Sequence, residues 1–417
     1  MTNAWDAVVQ TFPPEAQGEV VEQAAAIIGN LSLDEVRDRT TLLARAQNAV
    51  RTVLTQRGWS AAPDLVHAMA QQVAARIGGL GFLDPWLKPG EVSEVAITPY
   101  GQLWVLRKGA PDFELVQDNL DLEQTWRAVD ALLAPLGRAV NEANPSVDAG
   151  LPRSETLPGG ARIKVLHPVI APGKGYPSVN IRLYEPRPVP PSLLVSWRVA
   201  PEAVIQGLVE AVGRGLRVLV IGGTATGKTT LLAALANGIP KTKRVVKIED
   251  PEEIWLDHPH VVTIQARPSP PGSDVPAYTL ADGVDDAMRM SPKWLIVGEI
   301  RTGDAALALF RAQMSDHPGL STFHAEGPKE AVHRMGVIMF TDRGVRFEAA
   351  KSMFAQAIDL VVQVGWADDE EGQRRRRIIG VWEVAQRELS GGNVKFRRLY
   401  TNGDAALEAI SVTRTVA

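Results

Sequence analysis

Gly222-Gly223-Thr224-Ala225-Thr226-Gly227-Lys228-Thr229-Thr230 carries the strongest chemical signal in the chain. Its pattern, G-x-x-x-x-G-K-T, is what a polyphosphate requires. Glycines let successive backbone N–H groups turn inward as an anion nest, and a following helix adds the positive end of its dipole. Lys228 reaches the β- and γ-phosphates, and the Thr229 hydroxyl can ligate Mg²⁺. The bland alternative is a Gly-rich turn that arose by chance. Context weighs against it. The apolar, β-branched run Arg217-Val218-Leu219-Val220-Ile221 leads in, and the helical run Leu231-Leu232-Ala233-Ala234-Leu235 leads out.

Hydrolysis needs carboxylates as well. Glu249-Asp250-Pro251-Glu252-Glu253 follows the strand-like Val245-Val246-Lys247-Ile248, and Gly298-Glu299-Ile300-Arg301 follows Trp294-Leu295-Ile296-Val297. Carboxylates at the C-terminal ends of such strands stand at the ligand edge of an α/β sheet. Two of them can divide the work, one holding the metal and the other polarising the attacking water. Glycine at 298 permits close approach, as in a Walker B element. An exposed acidic loop is the alternative for each. Asp316-His317-Pro318-Gly319-Leu320-Ser321-Thr322-Phe323-His324 places two of seven histidines beside small polar residues. They either sense a phosphate or serve as surface and core residues. A zinc site from His258, His260, His317 and His324 lacks the usual carboxylate–histidine spacing.

The elements that must position these groups read as α/β. Strand candidates at 217–221, 244–248, 261–265 and 294–298 alternate with helical runs, the pattern of a sheet with helical crossovers. Residues 1–77 read as helices. Ser32-Leu33-Asp34-Glu35 is a capping box, Leu43, Ala46, Val50 and Val53 recur at helical spacing, and so do Leu65, Met69, Val73 and Ile77, until Gly78-Gly79. Short alternating segments between 80 and 185 read as strands around one or two helices. Glu185-Pro186-Arg187-Pro188-Val189-Pro190-Pro191 reads as a linker. The expected division is therefore 1–77, 78–185, a Pro-rich linker at 186–196, and 197–417. Asp368-Asp369-Glu370-Glu371-Gly372 with Arg374 to Arg377 reads as the charged tip of a hairpin, solvated rather than a nucleic-acid patch, because acids adjoin the arginines.

Bulk properties set limits. The chain has 417 residues, 45% hydrophobic and 22% charged, with a net charge of −4 and no cysteine. That excludes disulfides, a thiol nucleophile and thiolate zinc, and fits a reducing cytoplasm. No apolar run approaches the ~20 residues that span a bilayer. The acidic balance gives no reason to expect nucleic acid, which disfavours the alternative of a DNA translocase or helicase on the same core.

In their order, these motifs resemble the type II/IV secretion ATPase superfamily, from about residue 78 to about 385. A Walker A loop is followed by an aspartate box (Ile248 to Glu253), a Walker B element (Ile296 to Arg301) and a histidine box (His317 to His324). Val261-Val262-Thr263-Ile264-Gln265-Ala266-Arg267-Pro268, Met288-Arg289-Met290-Ser291-Pro292 and Ile77-Gly78-Gly79-Leu80-Gly81-Phe82-Leu83-Asp84-Pro85 look like the tight-adherence (Flp) pilus ATPases. The resemblance implies a RecA-like ATPase domain preceded by a PAS-like α+β domain and a helical leader. It also implies ATP and Mg²⁺ as cofactors, and a cytoplasmic homo-hexamer that meets inner-membrane platform proteins peripherally. By position, Lys228 and Thr229 match the phosphate and Mg²⁺ residues, Glu249 the general base, Glu299 the Walker B acid, and His324 the second histidine of the box. Arg162 and Arg182 stand where two N-terminal arginines reach the γ-phosphate. Asp316 departs from the family's usual glycine, and Ser154-Glu155-Thr156-Leu157 looks like an insertion.

Overall fold

The computed structural model describes residues 10–13, 16–28, 39–78, 80–88, 90–154, 157–269, 274–368, 372–385 and 389–414. The Ser32–Glu35 capping box, Gly79, Glu155–Thr156 and the acidic residues 369–371 lie outside them. The chain divides into two compact units, Met1–Leu157 with Ala161–Tyr184, and Pro158–Gly160 with Glu185–Ala417.

In the first unit, α1 (Gln17–Ile28), α2 (Arg39–Gln56) and α3 (Pro63–Gly78) share one core, with the two-residue strands β1 (Gln10–Thr11) and β2 (Trp59–Ser60) paired beside it. Ala46, Val50 and Val53 of α2 meet Met69 and Val73 of α3, so the helical spacing read from sequence is the buried stripe. A six-stranded antiparallel sheet follows. Its strands are β3 (Val92–Ile97), β4 (Leu103–Arg107), β5 (Glu114–Gln117), β6 (Ser146–Leu151), β7 (Ala161–Leu166) and β8 (Ser178–Leu183), in the order β5-β4-β3-β8-β7-β6. α4 (Leu122–Leu133), capped by the Asp121 carboxylate on the Gln124 amide, shares a core with the strands' apolar residues through Val129, Leu132 and Leu133.

Among the described residues the second unit holds eight strands: β9 (Val218–Ile221), β10 (Val245–Glu249), β11 (Val261–Gln265), β12 (Trp294–Ile300), β13 (Gly319–Phe323), β14 (Leu360–Asp368), β15 (Arg374–Val384) and β16 (Phe396–Thr401). Their order is β11-β10-β12-β13-β9-β14-β15-β16, parallel from β11 through β14 and antiparallel thereafter. Successive strand residues face opposite cores. Val218 and Val220 join the layer of α5 (Pro191–Ser196), α6 (Glu202–Gly213) and α7 (Lys228–Leu235). Leu219 and Ile221 join the other, built by α8 (Leu280–Met288), α9 (Gly303–Met314), α10 (Pro328–Arg343) and α11 (Phe347–Ala357). Each such fully buried Val or Leu contributes about 1.5–3 kcal/mol.

Residues 191–196, read as linker, form α5, because proline at the first helical position loses no internal hydrogen bond. The arginines 374–377 lie within β15 rather than at the hairpin tip, extending β14 and β15 past the apolar core.

Candidate functional site

β9 ends at Ile221, and residues 222–227 turn the chain into α7 at the C-terminal edge of the sheet. Space and handedness hold the turn. A Cβ on Gly222 would lie 2.3 Å from the Val364 carbonyl oxygen of β14, so glycine is needed for the loop to lie that close. Ala225 and Gly227 have φ of 58° and 92°, the left-handed conformations from which anion nests are built. Thr226 Oγ1 and Lys228 Nζ both donate to the Gly223 carbonyl, at 2.9 and 2.8 Å. Lys228 is 8% exposed, and its ammonium rests on a neutral carbonyl, a weaker partner than a phosphate oxygen. Thr229 and Thr230 occupy the first turn of α7, half-buried. The loop therefore fits a polyphosphate.

The two acids come to the same edge because β10 and β12 are parallel neighbours in register, Ile248 beside Val297. Glu249 is the last residue of β10, not the start of a loop, and is 1% exposed. Its Oε2 accepts from Lys247 Nζ at 2.7 Å, and its Oε1 from the Glu253 and Ile254 amides at 3.1 and 2.8 Å. Burial pushes its carboxyl above the ordinary carboxylate range, and Lys247 and the two amides offset this only in part. A Cβ on Gly298 would lie 3.1 Å from Glu249 Cγ, so the glycine before Glu299 makes room for the other acid. Glu299 is half-buried and pairs with Arg301 at 2.7 Å.

β13, between β12 and β9, ends at Phe323 and delivers His324 to the loop. His324 Nε2 lies 2.9 Å from Thr224 Oγ1, and its Nδ1 lies 3.3 Å from an Arg334 nitrogen. A guanidinium only donates, so Nδ1 is the acceptor; in the neutral ring Nε2 carries the proton and donates to Thr224. His317 stands at the opposite end of β13, where Nδ1 meets the Ala312 carbonyl at 3.2 Å and caps α9. Five strand residues, roughly 16 Å, separate it from the loop edge. Asp316, just before it, has φ of 62°, which explains why glycine suits that position.

In the antiparallel sheet of the first unit, Arg162 and Arg182 are directly opposite one another on β7 and β8 and share a face. Arg162 grips Asp148 at both carboxylate oxygens, 2.9 and 2.7 Å, and Arg182 faces Glu94 across β3.

Sequence reasoning missed Lys247 and Arg334. Lys247 is 3% exposed and ties Glu249, Glu252 and the Ile254 carbonyl together, each at 2.7 Å. A signal existed: a lysine inside an apolar strand buried on both faces needs charged or polar partners. Arg334 lies ten residues beyond His324 on the exposed side of α10 and gave none.

A phosphate loop on an inner strand of a parallel sheet, with two acids and a histidine at its edge, defines a RecA-like nucleotide-binding core. Residues 162–365 match the Type II/IV secretion system protein family. An uncharacterized protein of Methanocaldococcus jannaschii is 32% identical over 260 residues, 62% of this chain and 45% of that protein, so this chain spans under half of that relative's length. A putative conjugal transfer protein of Mycobacterium tuberculosis is 29% identical over 332 residues, 77% of this chain and 89% of its own. The structure of the Legionella pneumophila ATPase DotB shares the fold, with a TM-score of 0.51 at 18% identity over 73% of this chain and 79% of DotB. Among the described residues no helix is long and apolar enough to cross a membrane.

Proposed function

We propose that this chain is an ATP-hydrolysing motor that powers pilus assembly or protein secretion across the bacterial envelope, nearest to the tight-adherence pilus ATPases. It works as a homo-hexamer in the cytoplasm, docked peripherally on inner-membrane platform proteins. The observation that supports this best is the meeting of Lys228, Glu249, Glu299 and His324 at one edge of the parallel sheet. The family match and a relative described as a putative conjugal transfer protein favour macromolecular transport as the work done.

Lys228 and the amides of residues 222–230 would hold the phosphates, while the Thr229 hydroxyl and Glu299 would hold Mg²⁺. The bound Mg²⁺–ATP supplies an electrophilic terminal phosphorus and a good leaving group. Glu249 takes the proton of the attacking water at a carboxylate oxygen. Its raised proton affinity suits that task, since a base held nearer neutrality accepts a proton more readily. Thr224, held by His324, reports the state of the loop to α10. Arg162 and Arg182 offset charge on the transferring phosphoryl group and tie the first unit's movement to nucleotide state.

Phosphate release by the purified protein with ATP and Mg²⁺ tests the reading. Lys228→Ala is expected to cut turnover by roughly 10²-fold or more, the scale of losing a preorganised charge contact. Hydrolysis at the wild-type rate in that variant would sink the site.

A further inference from the structure

The arginine run of β15 has no part in the chemistry above, yet one of its members lies against the phosphate loop. Arg376 is cross-strand partner to Trp366, and both side chains project on the face that carries Val364 and Ile378, the face of the α7 layer. The Arg376 guanidinium lies over the Trp366 ring, 5.0 Å from its centroid, and Trp366 is 43% exposed. A Cβ built on Gly227, the residue that caps α7, would lie 3.6 Å from Arg376 Cδ. The pair therefore borders the N-terminus of the phosphate-binding helix.

Direction decides what that border meets. Glu249, Glu299 and His324 all approach from the β10-β12-β13 flank of β9, while Arg376 and Trp366 approach from the β14-β15 flank. A nucleotide whose terminal phosphate faces the acids must carry its sugar and base towards the opposite flank. There it would find a planar cation already stacked on an indole. A guanidinium so held presents its second face to a flat aromatic ligand, because its charge is delocalised over a plane and weakly hydrated. A lysine there would offer a point charge and no plane.

We propose that Arg376, backed by Trp366, is the nucleobase-stacking residue of the phosphate-loop site, taking the purine end of a nucleoside di- or triphosphate. The proposal rests on the nucleotide-binding reading of residues 222–230, and its test separates the two. Calorimetric titration of the full chain compares ADP with inorganic tripolyphosphate, which has phosphates but no base, in Mg²⁺ buffer. Arg376→Ala is expected to weaken ADP roughly tenfold or more, as loss of a stacking partner does, and to change tripolyphosphate affinity less than about twofold. Arg376→Lys keeps the charge, loses the plane and should weaken ADP as much as Arg376→Ala. Trp366→Ala, which removes the platform, should weaken ADP in the same direction. Retained tripolyphosphate binding shows at once that each variant's phosphate loop is folded. Equal weakening of both ligands in Arg376→Ala and Arg376→Lys makes Arg376 a phosphate ligand and overturns the proposal. So does full ADP affinity in Arg376→Lys or Arg376→Ala. If Lys228→Ala binds both ligands as the wild type does, the fault lies in the nucleotide site itself, and the stacking assignment goes with it.

Discussion

Lys247 shows how a single side chain sets the terms for the site. Lys247 is the buried counter-charge of Glu249 and Glu252. Replacing it with methionine keeps the length but takes the ion pair from Glu249, which retains the Glu253 and Ile254 amides, and from the partly exposed Glu252, a loss of about 3–5 kcal/mol measurable by urea unfolding. It also removes the positive charge that restrains Glu249. Because burial raises Glu249 in the fold, its contribution to stability is present below the ordinary carboxylate range and fades as pH rises through the raised value. Activity runs the other way, since the base must be deprotonated to act. The acidic limb of the rate profile should therefore move to higher pH in Lys247→Met, and a limb that stays put would remove Glu249 from the role of base. Asp316 calls for the opposite change. Its left-handed backbone strains an L-residue, and its side chain is 95% exposed. Asp316→Gly should raise stability by about 0.5–1 kcal/mol in thermal melts with activity unchanged.

At the scale of elements, the phosphate loop depends on its neighbour β14. Gly222 lies against the Val364 carbonyl, backbone to backbone, where no flexible side chain can give way. Gly222→Ala should displace the loop at a cost of about 1–3 kcal/mol and weaken ADP binding about tenfold or more by calorimetry, with the circular dichroism of the fold retained. Wild-type affinity in that variant would mean the loop can move off β14 without losing its shape. The same proximity explains why the β14-β15 hairpin belongs to the site. β14 joins β9 in parallel along the whole of β9, so whatever the hairpin carries past the sheet edge is brought to the loop.

Over the whole molecule, the two arginines of the first unit carry the proposed coupling. Arg162, half-buried, and Arg182, exposed, lie side by side on one face of the sheet, where like charges repel unless an anion or acid joins them. Asp148 answers part of that repulsion. Glu94, opposite Arg182 on β3, answers more of it, so the place of the two arginines in the proposed mechanism rests on the resemblance in sequence position. Arg162→Ala and Arg182→Ala should each lower kcat for ATP at least about tenfold while leaving the full chain's ADP affinity nearly unchanged. Ring formation, followed by light scattering, should be favoured by ATP. Full turnover by either variant takes that arginine out of the catalytic scheme, and a monomer with full activity at saturating ATP removes the ring.

The phosphate loop, the alternating strands and the order of the four motifs were legible in residue types alone, because local geometry dictates them. Left-handed turns want glycine, buried strands want β-branched residues, and helices open on small polar caps. Val218 to Ile221 and Trp294 to Val297 are apolar at every position because both faces of the parallel sheet are covered, a property already written in the run itself. The partners of the charged residues were not legible. Nothing near Glu249 in sequence says that its carboxylate is buried beneath Gly298 of another strand, nor does anything near His324 announce Thr224, one hundred residues earlier, or Arg334 on the next helix. His317 and His324 look equivalent in the chain, yet a strand runs straight between them and carries them to opposite edges of the sheet. The arginines 374–377 looked like a solvated tip for the same reason. Sequence carries period and local conformation, while strand order decides which distant residues share an edge, and only the assembled sheet β11-β10-β12-β13-β9-β14-β15-β16 brought Arg376 to Gly227.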